Sequence, residues 1–237
     1  MADKEIIFKK TYKCPVCSNE FKNLTVKQGK ARPDYSDIDL KQNYKNIEPL
    51  KYDIILCPRC GYASVERYFD RVSVQAQRDI LKSITSSLGI TFEDKDELDF
   101  EDAITRYKFA LLSCQVKKVK DSEIGFLMLK FGWLYRSYAR ETEDTEKKVK
   151  LESQERFYLE NALNYFLKAR EKENGEICGM EETTFDCLLA SMAVNLRRED
   201  VASRLISALL SHPLSTKRIK DKARELKYIL SEEKDEK

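Results

Sequence analysis

The chain is short of the residues on which much enzyme chemistry is built. Its 237 residues include one histidine, one tryptophan, seven glycines and five prolines. A single histidine, His212, gives His-based acid–base or triad chemistry little material. Scarce Gly and Pro, with 35% charged and 42% hydrophobic residues, is the profile of a helix-rich soluble protein. An excess of one charge is also missing: 43 Lys and Arg face 41 Asp and Glu, a formal net charge of +2. That balance implies no general attraction to nucleic acid or to an anionic membrane. No window approaches the ~18 uninterrupted apolar residues of a membrane span. The charged start, Met1-Ala2-Asp3-Lys4-Glu5, followed only by Ile6-Ile7-Phe8, does not read as a signal peptide.

Cysteine, by contrast, is present in number and in pattern. Four of the seven form two C-x2-C pairs, Cys14-Pro15-Val16-Cys17 and Cys57-Pro58-Arg59-Cys60, with 39 residues (18–56) between them. Seven cysteines and no export signal point to a reducing cytoplasm, where metal binding outcompetes disulfide formation. Two such pairs read as one tetrahedral site of four thiolates for a structural zinc ion. Spacing and number favour zinc over a redox pair, an iron–sulfur site or surface thiols. A closed four-sulfur shell leaves no position for water, which argues against a hydrolytic metal. Gly61 supplies positive φ at the exit of the second turn, and Ser18 and Asn19 hold the matching place in the first, with Asn the better tolerated there. Four deprotonated cysteines and one Zn²⁺ bring the formal charge from +2 to about 0. The gap exceeds the common spacing of about 15–20, so an insert must leave the ribbon and return. Cys114, Cys178 and Cys187 have no second pair and read as small core residues.

The expected fold is mostly α: a small N-terminal β zinc ribbon over 1–70, with a polar loop inserted at 28–48, then an array of α-α hairpins over 71–231 and a frayed tail at 232–237. Residues 5–12, the alternating Phe21, Leu24 and Val26, and residues 52–56 read as the strands. Val74, Ile80, Leu81, Ile84 and Leu88 mark a helix ended by Gly89. The acidic run at 93–102 suits the N-terminus of the next helix, where carboxylates oppose the dipole. Beyond it a spacing of +4 and +3 recurs: Ala103, Tyr107, Ala110; Ala162, Phe166, Ala169; Ala202, Ile206, Leu209. With Met128, Phe131, Gly132 and Tyr135 ahead of the second set, this arrangement resembles the tetratricopeptide repeat. It departs from that pattern by 18 extra residues in the middle hairpin, read as a charged, solvated projection near 140–156. Residues 216–230 would close the array as a polar-faced helix.

Taken together, CPVC, CPRCGYA, Asp37-Ile38-Asp39, Tyr44, the run Ile47 to Asp53 and GWLYR (132–136) resemble an uncharacterised bacterial family, the domain of unknown function 2225. The resemblance implies a metal-binding N-terminal part joined to tetratricopeptide-like helices, with no established activity.

By the repeat analogy, Leu129, Trp133, Arg136 and Ser137 from one hairpin, and Thr184, Ser191 and Asn195 from the next, face a concave groove that takes a peptide or protein segment. Trp and Arg are frequent binding hot spots. The competing reading packs Trp133 under the projection or against the ribbon. Asp34, Asp37, Asp39 and Glu48 form a carboxylate set for acid–base chemistry or magnesium, although a solvated loop is the plainer reading. The basic run 217–224 suits phosphates or, more simply, a solvated helix face. His212, before Pro213, is expected at helix C-terminal carbonyls. The function expected is a cytoplasmic zinc-binding scaffold or protein-interaction module with no catalytic residue assigned. A nucleic-acid-binding ribbon is the alternative, resting on 13 basic against 10 acidic residues in 1–70. An enzyme using the loop carboxylates comes last.

Overall fold

A computed structural model describes residues 6–87, 92 and 94–235. Two antiparallel hairpins build the ribbon. In the first, β1 (Ile7–Lys13) pairs with β2 (Glu20–Val26) from Ile7↔Val26 to Lys13↔Glu20. In the second, β5 (Ile54–Leu56) pairs with β6 (Ala63–Val65), and every residue of both strands is buried. Short apolar strands of this kind need cover on both faces. Part of that cover comes from the helices: the Ala63 N–H donates to Ser113 Oγ at 3.2 Å.

The insert is more regular than its sequence suggests. Over 28–48, read above as an irregular loop, β3 (Pro33–Ser36) pairs with β4 (Gln42–Tyr44) in a small antiparallel hairpin. All four β3 residues are exposed, so no inside–outside alternation marks it. Its tip is closed by backbone bonds: the Asp37 N–H donates to Lys41 O at 2.9 Å and the Leu40 N–H to Asp37 O at 3.0 Å. Leu40 takes a left-handed φ of 69° to make the turn. A 3-10 turn, Pro49–Tyr52, then returns the chain to β5, capped by the Glu48 carboxylate on the Leu50 N–H.

The remainder is helical: α1 (Glu66–Phe69), α2 (Val74–Ser83), α3 (Phe100–Lys117), α4 (Asp121–Glu141), α5 (Thr145–Lys172), α6 (Glu182–Asn195), α7 (Glu199–Ser211) and α8 (Lys217–Asp235). The pairs α2/α3, α4/α5 and α6/α7 pack as hairpins, and α8 lies against α6 and α7. All nine residues of the recurring +4, +3 pattern are buried. The acidic run acts as expected: Asp99 and Asp102 form a reciprocal capping box at the start of α3. Among the described residues no helix is long and apolar enough to cross a membrane.

Several local expectations change. Helix α2 ends at Ser83, with Ile80 and Ile84 inward and Val74 and Leu81 exposed. Leu88, Gly89 and Glu93 lie outside the described residues. Residues 140–156, expected as a solvated projection, comprise the end of α4, a three-residue turn (142–144) and the first turns of α5. Their inner side is not free: Leu151 is buried, Glu155 pairs with Arg136, and Lys147 reaches Tyr138. His212, just past the end of α7, donates its backbone N–H to the Ala208 carbonyl at 2.9 Å, as expected at a helix end, while its ring Nδ1 accepts the Leu214 N–H at 3.2 Å. Its extended backbone turns the ring toward the chain that follows.

Helices α4 and α5 approach closely because α4 carries glycine on the shared face. A Cβ at Gly132 would sit 2.7 Å from Leu159 Cδ2 and 3.3 Å from the Glu155 carbonyl oxygen, and one at Gly125 would sit 2.7 Å from the Phe166 ring. At the other end of the pair, Glu173 accepts the Ser122 N–H at 3.0 Å and the Ser122 hydroxyl at 2.7 Å, capping α4 from the end of α5. Gly132→Ala gains about 1 kcal/mol of helix propensity and loses about 1–3 kcal/mol to overpacking. The expected result is net destabilisation of about 1 kcal/mol in urea unfolding. A more stable variant would mean that Leu159 yields without cost.

The ribbon is seated on the helices by two sets of contacts. Cys14, Cys57 and Cys60 share a core with Phe21, Ile55, Tyr62 and Phe69 of the ribbon and its exit, and with Ile80 and Ile84 at the end of α2. Arg67 of α1 donates to Cys178 O at 2.8 Å and lies over the Tyr68 and Phe126 rings.

Candidate functional site

The four paired cysteines converge. Cys14 and Cys60 Sγ are 3.6 Å apart, as are Cys17 and Cys57 Sγ, and all four sulfurs lie within 4.8 Å of one another. A tetrahedron with Zn–S bonds of ~2.3 Å has sulfurs ~3.8 Å apart, so the donor set is compatible with a metal ion. Each pair sits on the same turn. Cys14 N–H donates to Asn19 O and Ser18 N–H to Cys14 O; Cys57 N–H donates to Tyr62 O and Gly61 N–H to Cys57 O. The left-handed residues are Gly61, at φ 74°, and Ser18, at φ 59°, so Ser18 rather than Asn19 fills the place glycine holds in the second turn. Side by side without a metal, the thiols do not all ionise. Hydrogen bonding to Cys57 pushes the Cys14 thiol up to about 12, and the Cys14 and Cys57 sulfurs raise Cys60 too, while the bond from Cys14 lowers Cys57. A bound cation displaces such protons and holds four thiolates together. Cys14, Cys57 and Cys60 are buried and Cys17 half-buried, which gives a closed site.

A second constellation joins the tip of the insert to α4 and α5. Asp39 is fully buried. Its Oδ1 accepts Arg136 Nη1 and its Oδ2 accepts Arg136 Nη2, both at 2.7 Å, and the Trp133 indole N–H donates to Oδ2 at 2.9 Å. Asp37 accepts Arg136 Nη1 at 2.9 Å, Arg140 at 3.1 Å through both terminal nitrogens, and Asn43 Nδ2 at 3.1 Å. The remaining guanidinium donor of this set, Arg136 Nε, goes to Glu155 at 2.7 Å. Beside it the buried Lys41 donates to Glu48 Oε2 at 3.0 Å, the same oxygen that Ser137 Oγ bonds. Ile38, between the two aspartates, packs against the apolar core of the later hairpins. Burial raises the Asp37 pKa, but the Arg140 and Arg136 hydrogen bonds outweigh it and hold the carboxyl below its usual range. Burial likewise dominates at Glu155 and raises it despite Arg136.

A family model described as "Uncharacterized protein conserved in bacteria (DUF2225)" matches residues 7–230. The chain belongs to that family. The match runs from β1 into α8, so it takes in the ribbon, the insert and all three hairpins. No curated protein and no solved structure matches the chain.

The residues singled out from the sequence of this DUF2225 member are dispersed as follows. Trp133, Arg136 and Ser137 come together, on the face of α4 that the insert covers. Leu129 is packed inside the core, and Ser191 is buried with its hydroxyl on Cys187 O. Thr184 is exposed and Asn195 half-buried on α6. Of the loop carboxylates, Asp37, Asp39 and Glu48 are engaged by cations, while Asp34 stays exposed, 3.5 Å from Lys45. Sequence reasoning missed Arg140, Lys41, Asn43 and Glu155 as members of the cluster. Cys114 and Cys178 are raised by burial to about 12 and about 11, and Cys187 is raised too, as suits inert structural thiols. The basic run 217–224 lies on α8, where Arg224 pairs with Asp221 and Lys222 with Glu225.

The two carboxyl shifts give the clamp a defined response to acid. Asp37 is lowered, so its stabilisation is complete above its ordinary value of 3.8 and is lost as pH falls through its lower folded value. Glu155 is raised, so its contribution is present below its ordinary 4.5 and lost as pH rises through its folded value. Neither of these two groups therefore loosens the clamp between neutrality and pH 4.5, and Asp37 gives way only below 3.8. Emission from Trp133, the only tryptophan, reports it. A transition centred near pH 6 would contradict this assignment.

Proposed function

We propose that the protein is a cytoplasmic, zinc-anchored protein-interaction module. The observation that carries this reading is the contrast between the two constellations. The four-cysteine site is closed and fits a structural ion, whereas the α4 face bearing Trp133, Arg136 and Ser137 already holds an extended polypeptide segment, the insert, by charge-assisted bonds. Stacked helical hairpins of this kind offer surface for recognition and little built-in chemistry. The loop carboxylates, taken up by Arg136, Arg140 and Lys41, act as acceptors rather than as bases. Two ribbon lysines that favoured nucleic acid are also neutralised, Lys9 by Asp94 and Lys10 by Glu66, which weighs against the nucleic-acid reading. The test is affinity capture from a bacterial cytoplasmic extract with the native chain, beside Trp133→Phe and Arg140→Ala chains of matched metal content. A protein retained by the native chain and lost with the variants supports the module. Retention of nucleic acid alone, or of nothing that the variants alter, refutes it.

A further inference from the structure

The insert's tip is bound in the manner of a peptide ligand. Its contacts are not those of a loop resting on a surface: two carboxylates flank one aliphatic side chain within three residues, and each finds a built partner on the helices. Asp39 takes a bidentate guanidinium and an indole N–H, and Asp37 takes a second arginine. Between them the half-buried Ile38 packs against the apolar core. The three helical groups that hold the carboxylates, Trp133, Arg136 and Arg140, all belong to α4, and Glu155 of α5 fixes the Arg136 guanidinium from behind. A buried ion cluster is a poor way merely to add stability, because well-packed apolar residues do as well or better. What the cluster supplies is selectivity for a pair of carboxylates at one spacing, and bidentate arginine is the group suited to that.

We infer that this face of α4 and α5 is a receptor for an acidic–aliphatic–acidic turn of a partner protein, and that the insert tip (37–41) occupies it in cis. This deepens the interaction-module reading and rests on it. The tip is tethered on both sides by the ribbon, at an effective concentration of about millimolar. A partner segment of the same chemistry therefore meets a closed face in the native chain and competes only when the tip withdraws. The exposed outer strand of the insert, β3, leaves the tip and Lys41–Glu48–Ser137 as its main holdings on α4.

The probe is a fluorescein-labelled peptide of residues 33–46 of this sequence, with a control peptide carrying Asn in place of Asp37 and Asp39. The receivers are full-length, metal-loaded chains: wild type, Asp37→Asn with Asp39→Asn, and one with 37–41 replaced by a Gly-Ser linker. Metal content and far-UV circular dichroism establish that each is folded. The acidic peptide is expected to bind at least one tip-disabled chain at least tenfold more tightly than wild type, and the control peptide not to bind. Adding Trp133→Phe or Arg140→Ala to that chain weakens binding by about tenfold each, the worth of one hydrogen bond to a charged group. Absence of binding to both folded variants, or equal binding of the control peptide, overturns the receptor. A wild-type dimer held by exchanged inserts makes a second copy the occupant and overturns it too. Failure here leaves the broader reading to the capture experiment, which does not depend on the peptide.

Discussion

Arg136→Ala is expected to cost the fold about 3–5 kcal/mol, the range for breaking a buried ion pair from one side. The reason is what it leaves behind. Asp39 is fully buried and Asp37 and Glu155 are partly buried, and each loses its contact with the guanidinium. The insert then holds by Arg140, the Trp133 N–H, the Ser137–Glu48 bond and the packing of Ile38. A domain stability of about 5–15 kcal/mol makes this a large fraction of the whole, equivalent to a fall in melting temperature of about 10 °C at this size. The control is a double variant. Arg136→Met with Asp39→Leu removes both sides, and it is expected to be more stable than Arg136→Met alone, because no charge is stranded. If Arg136→Ala unfolds within about 1 kcal/mol of wild type in urea, the cluster is solvated in solution and the clamp does not hold.

Metal removal is expected to have the larger effect, confined to the ribbon. Structural zinc contributes roughly 10–16 kcal/mol in small zinc-dependent peptides, more than the hairpins β1/β2 and β5/β6 can supply from their short apolar faces. Three of the four cysteines are themselves core residues, so their separation also exposes Phe21, Ile55 and Tyr62. Chelation under reducing conditions, or Cys57→Ser, therefore unfolds residues 7–65 and frees the insert. The core of α5 to α8 contains no buried ribbon residue, and that of α3 to α5 contains none of the four cysteines and loses only Ile54, Leu56, Ala63 and Val65 of β5 and β6. Far-UV circular dichroism retains most of its helical signal while protease cuts appear between residues 18 and 56. Loss of the whole helical signal on chelation would mean that the ribbon and the array fold as one unit.

What was legible in the sequence was local. A C-x2-C turn constrains its own geometry, so the convergence of the four cysteines followed from spacing. The +4, +3 pattern lies on one helix face, so nine core positions followed from periodicity. The clamp was seen only in halves. Arg136 was assigned to a partner-facing surface, and Asp37 and Asp39 to a solvated loop, because the pairs that unite them span 97 to 103 residues. Nothing within a few residues of Asp39 signals that it is buried; polar neighbours and a turn are what an exposed loop also has. The β3/β4 hairpin was hidden for the complementary reason, since an exposed strand has no buried face to alternate with. The charged stretch near 140–156 misled because its helix-forming composition was taken as solvated on all sides, while Leu151 and Glu155 recur on the face turned to α4.

The most direct measurement is elemental analysis of the purified chain combined with site-resolved alkylation of its cysteines. One zinc ion per chain is expected, with Cys14, Cys17, Cys57 and Cys60 refractory to alkylation until a chelator is added. A chain that holds no metal when purified under reducing, chelator-free conditions, and whose four paired cysteines react at the rate of unfolded thiols, would contradict it.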